Sequence, residues 1–522
     1  MSSSYEYLSY GRATDVQNAR DRKFYRLLEI QPGVLAWATL ILVVAASYWV
    51  PVWAAVFIIG FDIYWLTKTI YLSLHMNHSF RQMRKHMKID WVSRLASAEP
   101  KAQELFGVQP DDLYHLVILP MVNEPLVVVR DSFAALSKTR WPLDRIIAVL
   151  ATEGRYADHA HMVAARIESE FGNKFFKFLV TEHPDDMPGE MRGKGSNEAW
   201  AGRKAIELID SLSIQHRNII VTVFDIDTVA PEDFFPCLAW HYLTAESPLY
   251  SSFQPIPLFT NNIWEAPAFA RVFAFSTTFW QMIQQARPEQ LVTFSSQSIG
   301  LSALVDVKFW QTNVVSEDSQ IFWKCLLRYD GDWRTIPLYY PIAMDANVAP
   351  TFWQTVVNQY KQIRRWHYGV ENNPYFLFGF SKNPRIPLGM KLRHAFQMIE
   401  KTHSSATNAL IIFILGWLPI TIGRGNFDQT VLSYNLPGIT QNIMLLAMIG
   451  LVSSAIISVA LLPPRPLNFG RHRFLWMVLQ WILFPINFII FGAIPALDAQ
   501  TRLMLGKYMG FWVTPKNRKT IW

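Results

Sequence analysis

Two short carboxylate groups in this chain suit two different kinds of chemistry. Asp225-Ile226-Asp227 follows an apolar run, and on an extended segment side chains at i and i+2 point to the same side. Two such groups can converge on one hard cation. Mg2+ or Mn2+ fits, completing its shell with phosphate oxygens and offsetting charge that gathers on a diphosphate. A loop or helix-cap pair is the plainer reading, and Asp111-Asp112 and Asp185-Asp186 show how readily acid pairs arise. In Ser316-Glu317-Asp318, Asp318 can serve as a base that takes a proton from a hydroxyl. It also fits the N-cap of a helix starting near Ser319.

A third group is Gln362-Ile363-Arg364-Arg365-Trp366. On a helix Gln362 and Arg365 share a face. Arg offers a planar fork for diphosphate oxygens, and Trp offers a flat face for a ring. A basic amphipathic helix near lipid explains the cluster of Lys361, Arg364 and Arg365 equally well. Lys194, in Gly193-Lys194-Gly195-Ser196-Asn197, can reach a phosphate. The spacing of a P-loop is absent, so ATP hydrolysis at such a loop is unsupported.

The elements that must position these residues follow from the texture of the chain. Its 522 residues are too many for one ordinary domain. It is 51% hydrophobic and 17% charged, against roughly 25% charged for a soluble protein. A mean hydropathy of +0.12 is too low for a chain that is all membrane. A polar domain joined to several apolar helices fits. The net charge of +7 suits anionic headgroups or a nucleotide diphosphate. No nucleic-acid-binding pattern is present. Cys237 and Cys325 form no metal spacing and read as reduced thiols facing the cytosol.

Residues 1–33 read as a polar cytosolic segment without a cleavable signal, and 34–75 as a transmembrane hairpin turning at Pro51. Asp62 and Lys68 in its second helix pair, snorkel or line a polar conduit. Arg12, Arg20, Arg22, Lys23 and Arg26 before it, and Arg81, Arg84, Lys85 and Lys88 after it, put both flanks inside. Residues 90–380 read as an α/β domain with a mostly parallel sheet. Its buried strands are 116–119, 145–150 and 218–224, and helix-like stretches at 157–172 and 195–213 separate them. Ligands bind beyond the carboxyl ends of such strands, where Asp225 falls. Residues 259–285 suit an interfacial helix or a core helix, and 381–404 a basic interfacial one. Residues 405–500 hold C-terminal transmembrane helices, with apolar stretches at 408–423, 439–462 and 474–497, and 501–522 form a basic tail. Arg465, Arg471 and Arg473 place loop 463–473 inside. Three full spans would then leave Arg502, Lys507, Lys516, Arg518 and Lys519 outside. Pro485 and Pro495 can instead break the last stretch into a re-entrant or split helix that returns the tail. The sequence leaves both open.

Taken in order, these motifs resemble the inverting family-2 glycosyltransferases of membranes, the group of cellulose, hyaluronan and chitin synthases. The match covers about residues 115–370 and includes the flanking helices. The resemblance implies a GT-A, Rossmann-like catalytic domain facing the cytosol from a multi-pass bundle in the plasma or inner membrane. Leu119-Pro120-Met121-Val122-Asn123-Glu124 looks like the opening nucleotide-binding stretch, with Glu124 near the nucleoside. By the same resemblance Lys194 faces phosphate, and Asp225 lies near diphosphate and ribose. Asp227 holds Mg2+ or Mn2+ with Asp225 beside it, and Asp318 is the base. Gln362 and Arg365 contact diphosphate, and Trp366 forms an acceptor-side floor. The family has an aspartate after its second strand, where this chain has Glu153, one methylene longer. A UDP-sugar is favoured as donor and a GDP-sugar remains open. No appended regulatory domain follows the last helices.

The implied function is transfer of a sugar from a nucleotide to an acceptor hydroxyl, extended to a polymer that passes between the helices. Trp366, Trp353 and Trp417 would stack sugars along that path. Transfer of one sugar to a membrane lipid is the enzyme alternative. A dead transporter or scaffold is the non-enzyme one. Partners are thus a nucleotide sugar, a glycan or lipid acceptor and membrane lipids, with no nucleic acid.

Overall fold

The computed structural model describes residues 3–98, 107–467, 469–470 and 473–518. Arg471 and Lys519, which entered the charge reading above, lie outside the described residues. The centre is an α/β unit on a seven-stranded sheet of order β3-β2-β1-β4-β6-β5-β7. Its strands are β1 (Tyr114–Pro120), β2 (Ile146–Glu153), β3 (Lys177–His183), β4 (Ile219–Val223), β5 (Ser251–Leu258), β6 (Ser298–Gly300) and β7 (Arg334–Ala343). Strands β1 to β4 pair in parallel, and β6 runs antiparallel to both β4 and β5. Along β1, Val117 and Leu119 enter one apolar layer while Leu116 and Ile118 enter the other. That alternation on a sheet covered on both faces is why the central strands read as unbroken apolar runs. The third apolar run is β4. β3 escapes the sequence reading because it is an edge strand paired only with β2, half exposed and begun by Lys177.

The parallel register aligns the strands' carboxyl ends. Phe224 N–H donates to the Ile118 carbonyl at 3.0 Å, so the segment after β4 starts beside the end of β1. Asp225 and Asp227 do not continue an extended strand, however. The chain turns there, with Thr228 N–H on the Asp225 carbonyl at 2.8 Å, and the two side chains go to different partners.

Among the described residues four helices are long and apolar enough to cross a membrane, or five if a helix pair bent by 45° forms one span. Helix α1 is Ala19–Trp49 and α2 is Pro51–His86, with Pro51 in the first turn of α2 as expected for a proline opening a helix. Both run well past the apolar stretch in the sequence. The 36 residues of α2 span about 54 Å, against about 30 Å of hydrocarbon. Its last turns rest on the sheet, where the His86 ring bonds the Leu338 carbonyl at 2.8 Å. Lys68 pairs with Glu400 rather than with Asp62, which is buried beside Thr440.

Helix α3 (Lys194–Ser211) follows β3, and α4 (Ala268–Gln285) packs beneath the membrane segment, buried on most of its faces. Helices α5 (Glu317–Arg328) and α6 (Phe352–His367) complete the catalytic side. Helix α7 (Leu388–Phe413) exposes Leu388, Leu392 and Phe396 along one face, then bends into Leu418–Ile422. Helix α8 (Val431–Ala460) lies against α2, with Gly450 opposite Thr69 and Ser73. Small residues there let the two backbones approach.

The final apolar stretch is broken. A 3-10 turn at Gln480–Leu483, a π turn at Phe488–Ala493, Pro485 and Pro495 interrupt it before helix α9 (Ile494–Met504). Both of its ends touch the catalytic unit. Trp481 stacks on Phe279 at 5.7 Å, and Asn487 donates to the Phe269 carbonyl. At the other end Asp498 pairs with Arg364 at 2.9 Å. The loop after the bent pair lies at the opposite end of the bundle, its Arg424 N–H on the Tyr48 carbonyl. The last stretch is therefore one helical run, Phe474–Met504, that lies along the catalytic side from end to end. The buried native thiols of Cys237 and Cys325 give little background for labelling. Cysteines introduced at Leu467 and Lys507 should react with an impermeant maleimide from the same side, and one at Asp428 from the other. Labelling of Lys507→Cys together with Asp428→Cys would show a full crossing instead.

Candidate active site

The site is organised around one ammonium group. Lys194 opens α3, and its Nζ lies 2.8 Å from Asp225, 2.8 Å from Asp318, 3.4 Å from Glu198 and 4.0 Å from Glu317. The two glycines beside it are steric requirements. A Cβ on Gly195 would sit 2.8 Å from the Gln311 carbonyl and 3.0 Å from Glu317 Cβ. One on Gly193 would sit 2.6 Å from the Phe511 ring. Asn197 fixes the start of α3 to the end of β2 by donating to the Ala151 carbonyl at 2.9 Å.

Burial opposes the charge on Lys194, but Asp225 and Asp318 outweigh it and hold the ammonium well above its ordinary pKa. Burial also acts on Asp225, yet Lys194 and Lys516 keep its carboxyl below the usual range. Asp318 is pushed up by burial, with the neighbouring Asp225 adding to it and Lys194 opposing. Glu317 rises to about 8, through burial and then repulsion from Asp318, and Glu198 is raised well above the carboxylate range by burial. The arrangement closes electrically near neutral pH. Asp225, held low, faces Lys194, and Glu317 holds its proton, while burial shifts Asp318 and Glu198 toward the protonated form.

Asp318 does not cap its helix. Helix α5 begins at Glu317, two residues earlier than the sequence suggests, and the Asp318 side chain bonds Lys194 at 2.8 and 3.0 Å. Its backbone carbonyl accepts from Thr293 Oγ1 and Gln297 Nε2. Ser316 supplies no capping bond either. The carboxylate of Glu371 instead accepts from Val315 N–H, Ser316 N–H and Ser316 Oγ, each at 2.8 Å. That buried clamp sets the backbone entering Asp318.

Helix α6 divides its basic cluster. Arg364 turns to Asp498 in the membrane segment. Arg365 is half-buried, facing Glu317, Asp225 and Asp318, with desolvation lowering its pKa. The lipid-facing reading of this helix therefore fails for Arg365. Gln362 is one turn back on the same helix, near Asn347 and Gln359. Trp366 lies among Phe259, Phe273 and Phe294, with ring centroids 6.0 to 6.3 Å away, beside a small cavity it shares with Gln362 and Asn347. Trp353 is exposed and Trp417 lies at the bend of the spanning pair, so neither joins this group.

Asp227 is fully buried on a separate branch. Its Oδ2 accepts Asp345 N–H at 2.8 Å and Lys516 Nζ at 2.7 Å, while Oδ1 has no hydrogen-bond partner among the described residues. Lys516 belongs to the tail, which follows the helical run Phe474–Met504 back to the site. Arg518 in the same tail pairs with Asp345 at 2.7 Å and donates to the Asp227 carbonyl at 3.1 Å. Phe511 packs against Gly193 and lies beneath Arg365, 4.4 Å from ring centroid to guanidinium.

The structure thus gathers Lys194, Asp225, Asp318 and Arg365, with Asp227 joined through Lys516, which also feels the charge of Asp225. Glu124 lies after β1, buried, its Oε2 accepting Val122 N–H at 2.7 Å. Glu153 ends β2 apart from the hub, in an ion pair with Arg155, and its charged neighbours are Arg155, His183 and Asp185. Sequence reasoning passed over Glu198, Glu317, Glu371, Asp345, Lys516 and Arg518. The first two stand next to named residues. Nothing local marks the others.

Residues 220–493, just over half of the chain, match glycosyl transferase family group 2, and the chain belongs to that family. It is a family-2 glycosyltransferase built on an α/β domain with apolar helices long enough to span a membrane. No curated protein sequence matches it. Among solved structures it is similar to a mannosyltransferase from Pyrobaculum calidifontis in complex with GDP-Man and Mn2+. That match has 14% identity and a TM-score of 0.40, covering 86% of this chain and 99% of that one. It is also similar to Staphylococcus aureus TarS in complex with UDP-GlcNAc, at 10% identity and a TM-score of 0.37, covering 76% and 92%.

The hub predicts a pH dependence. A base with a raised pKa loses its function as pH falls through that raised value, so the acid limb of transfer should lie above the ordinary carboxylate range. Lys194 is what holds Asp318 down. Lys194→Met should therefore move the acid limb of kcat/KM to higher pH while lowering its plateau. An unmoved limb would mean that the titrating group is not Asp318.

Proposed function

We propose that the protein moves a sugar, with inversion, from a nucleoside diphosphate to an acceptor hydroxyl at the cytosolic face of a membrane. The observation that carries this reading is Lys194 bridging Asp225 and Asp318 beside Arg365. One group suited to phosphate lies between one carboxylate suited to the donor and another suited to the acceptor. Asp318 accepts the proton of the hydroxyl as its oxygen bonds the anomeric carbon. The bond from that carbon to the diphosphate breaks, and the nucleoside diphosphate departs with the electron pair. Lys194, Arg365 and Gln362 hold the departing phosphates. When Lys194 turns to a phosphate, Asp318 loses its partner and becomes available as base. Glu124 and Glu153 lie toward the nucleoside. A UDP-sugar is favoured, with a GDP-sugar still compatible with the pairing of Glu153 to Arg155.

Asp225 and Asp227 fit a divalent cation, Mg2+ or Mn2+. They offer hard oxygens, and Asp227 Oδ1 is buried without a partner among the described residues. A bound cation would offset charge developing on the diphosphate. In this structure Lys516 supplies a positive charge at the same carboxylate.

Polymer synthesis is supported by polar residues that continue from the site into the membrane segment. His367, next to Trp366, neighbours Lys401 of α7. Lys401 lies over the Trp280 ring, and the adjoining residues supply the Lys68–Glu400 and Thr39–His403 pairs. Such groups between spanning helices suit a glycan path. The positive flanks of the N-terminal hairpin support a cytosolic catalytic side.

The test uses the full chain in lipid nanodiscs with a panel of nucleotide sugars and Mg2+ or Mn2+. Released nucleoside diphosphate and product size are read together. A long glycan is expected. A single sugar on lipid would replace polymer synthesis with lipid glycosylation, and no release from any donor would remove the enzymatic reading. Asp318→Asn should keep nucleotide binding and lose at least a hundredfold in turnover, as general-base loss implies. Lys516→Ala removes a charged hydrogen bond worth about 1.5–3 kcal/mol. It should lower the Mn2+ concentration for half-saturation about tenfold, measured by electron paramagnetic resonance. An unchanged value would place the cation elsewhere.

A further inference from the structure

The N-terminal segment before α1 is built into the catalytic unit rather than trailing from it. Gln311 donates to the Ser9 carbonyl at 2.6 Å, and Asn313 Nδ2 donates to Asp15 at 2.8 Å. Arg12 Nη2 donates to the Asn313 carbonyl at 2.8 Å. Gly11 lies so close that a Cβ would sit 2.5 Å from Asn313 Oδ1. These residues belong to the loop that leads into Asp318.

The other side of the same segment grips the root of the tail. Arg12 lies over the Tyr508 ring, 5.0 Å from its centroid, and Tyr508 donates to Glu29 at 2.8 Å. Glu29, only 1% exposed, also accepts Ala13 N–H at 2.8 Å and Arg26 at 2.7 Å. Arg26 in turn donates to the carbonyls of Leu503 and Met504, where α9 ends. Between these groups and Glu371, the clamp on Ser316, lies a small cavity of about 10 Å³. Gly506, at φ +68°, is the next residue able to turn freely before the tail reaches Gly193 and Asp227.

We propose that residues 5–15 form a strap that couples the tail to the Asp318 loop, with Arg12 and Glu29 as positioning residues. It rests on the reading of Asp227 as a cation ligand and Asp318 as base. Within the strap Arg12 touches both sides, beside the direct packing of Val315 against Tyr508, Met509 and Phe511, so it cannot keep its bond to Asn313 and follow Tyr508 if the tail withdraws. A tail seated on Asp227 therefore favours one placement of loop 311–316. Withdrawal of the tail, which vacates Asp227 for a cation, relaxes that loop.

The experiment disturbs one side of the strap and reads the other, on the full chain in nanodiscs. Asp15→Asn weakens the loop contact, together with the Gly11 N–H and Arg12 N–H bonds to the same carboxylate, and leaves every contact with the tail in place. Coupling predicts that trypsin then cleaves after Lys516 about tenfold faster, read as loss of the terminal hexapeptide by mass spectrometry. Tyr508→Phe keeps the ring under Arg12 and removes only the bond to Glu29. It should lower both kcat and the Mn2+ concentration for half-saturation, whereas a general loss of structure would lower kcat and raise the cation requirement. The proposal is overturned if Asp15→Asn leaves tail cleavage unchanged, or if Tyr508→Phe leaves kcat unchanged while cleavage rises. The cleavage readout needs no catalysis, so it stands or falls separately from the role of Asp318.

Discussion

The rest of the site depends on the enclosure of a single ammonium among acids. An ion is costly to bury, and Lys194 is kept charged only because Asp225 and Asp318 both lie 2.8 Å away. The constraint spreads outward. It requires Gly195, since any side chain there would meet Gln311 and Glu317. It requires the end of β4 to lie beside the start of α3, which the parallel sheet provides through β1 and β2. It also leaves Glu198 and Glu317 sharing cations that the aspartates approach more closely, and burial raises both carboxyls. A ligand bearing two phosphate charges is therefore a natural exchange for one or both aspartates. It gives Lys194 an equal partner and releases a carboxylate that was previously neutralised.

Helix α6 carries that electrostatic arrangement to the membrane segment. Successive residues face different environments, with Arg364 toward Asp498 and Arg365 toward the acid cluster, while Trp366 lies among phenylalanines. Neither arginine is interchangeable with a lysine here. One fork reaches across to the helical run Phe474–Met504, and the other sits half-buried where a delocalised, weakly hydrated cation costs less than an ammonium. The helix is thus a rigid joint, and displacement of that run would be felt at Arg365 through one turn of backbone.

What the sequence made legible was whatever is local. Apolar runs marked β1, β2 and β4, because strands buried on both faces need no polar residues. Pro51 marked the hairpin, and the order of Lys194, Asp225, Asp318 and Arg365 marked a resemblance that the family match supports. Edge strand β3 was lost because half its side chains meet solvent. The i, i+2 geometry of Asp225 and Asp227 failed because the chain turns where an extended strand was assumed. Glu371 and Lys516 were invisible for a different reason. Each acts on a residue far along the chain, Glu371 on Ser316 and Lys516 on Asp227, and a lone charge in a polar stretch carries no sign of its partner.

Lys516 also shows why the topology of the membrane segment and the electrostatics of the site are one problem. Counted as a basic residue near a membrane end, it only argues for a side. Located on Asp227, it requires that the helix before it, Phe474–Met504, deliver the chain back to the catalytic side. The 3-10 and π turns at Gln480–Leu483 and Phe488–Ala493 are irregularities within that one helix, whose two ends both touch the catalytic unit. Its freed backbone groups lie against α4 and α7 rather than lipid alone. Helical irregularity in the membrane and a buried ion pair in the catalytic domain are thereby two ends of a single constraint. The tail can answer the charge of Asp227 because the helix before it keeps both of its ends on the catalytic side.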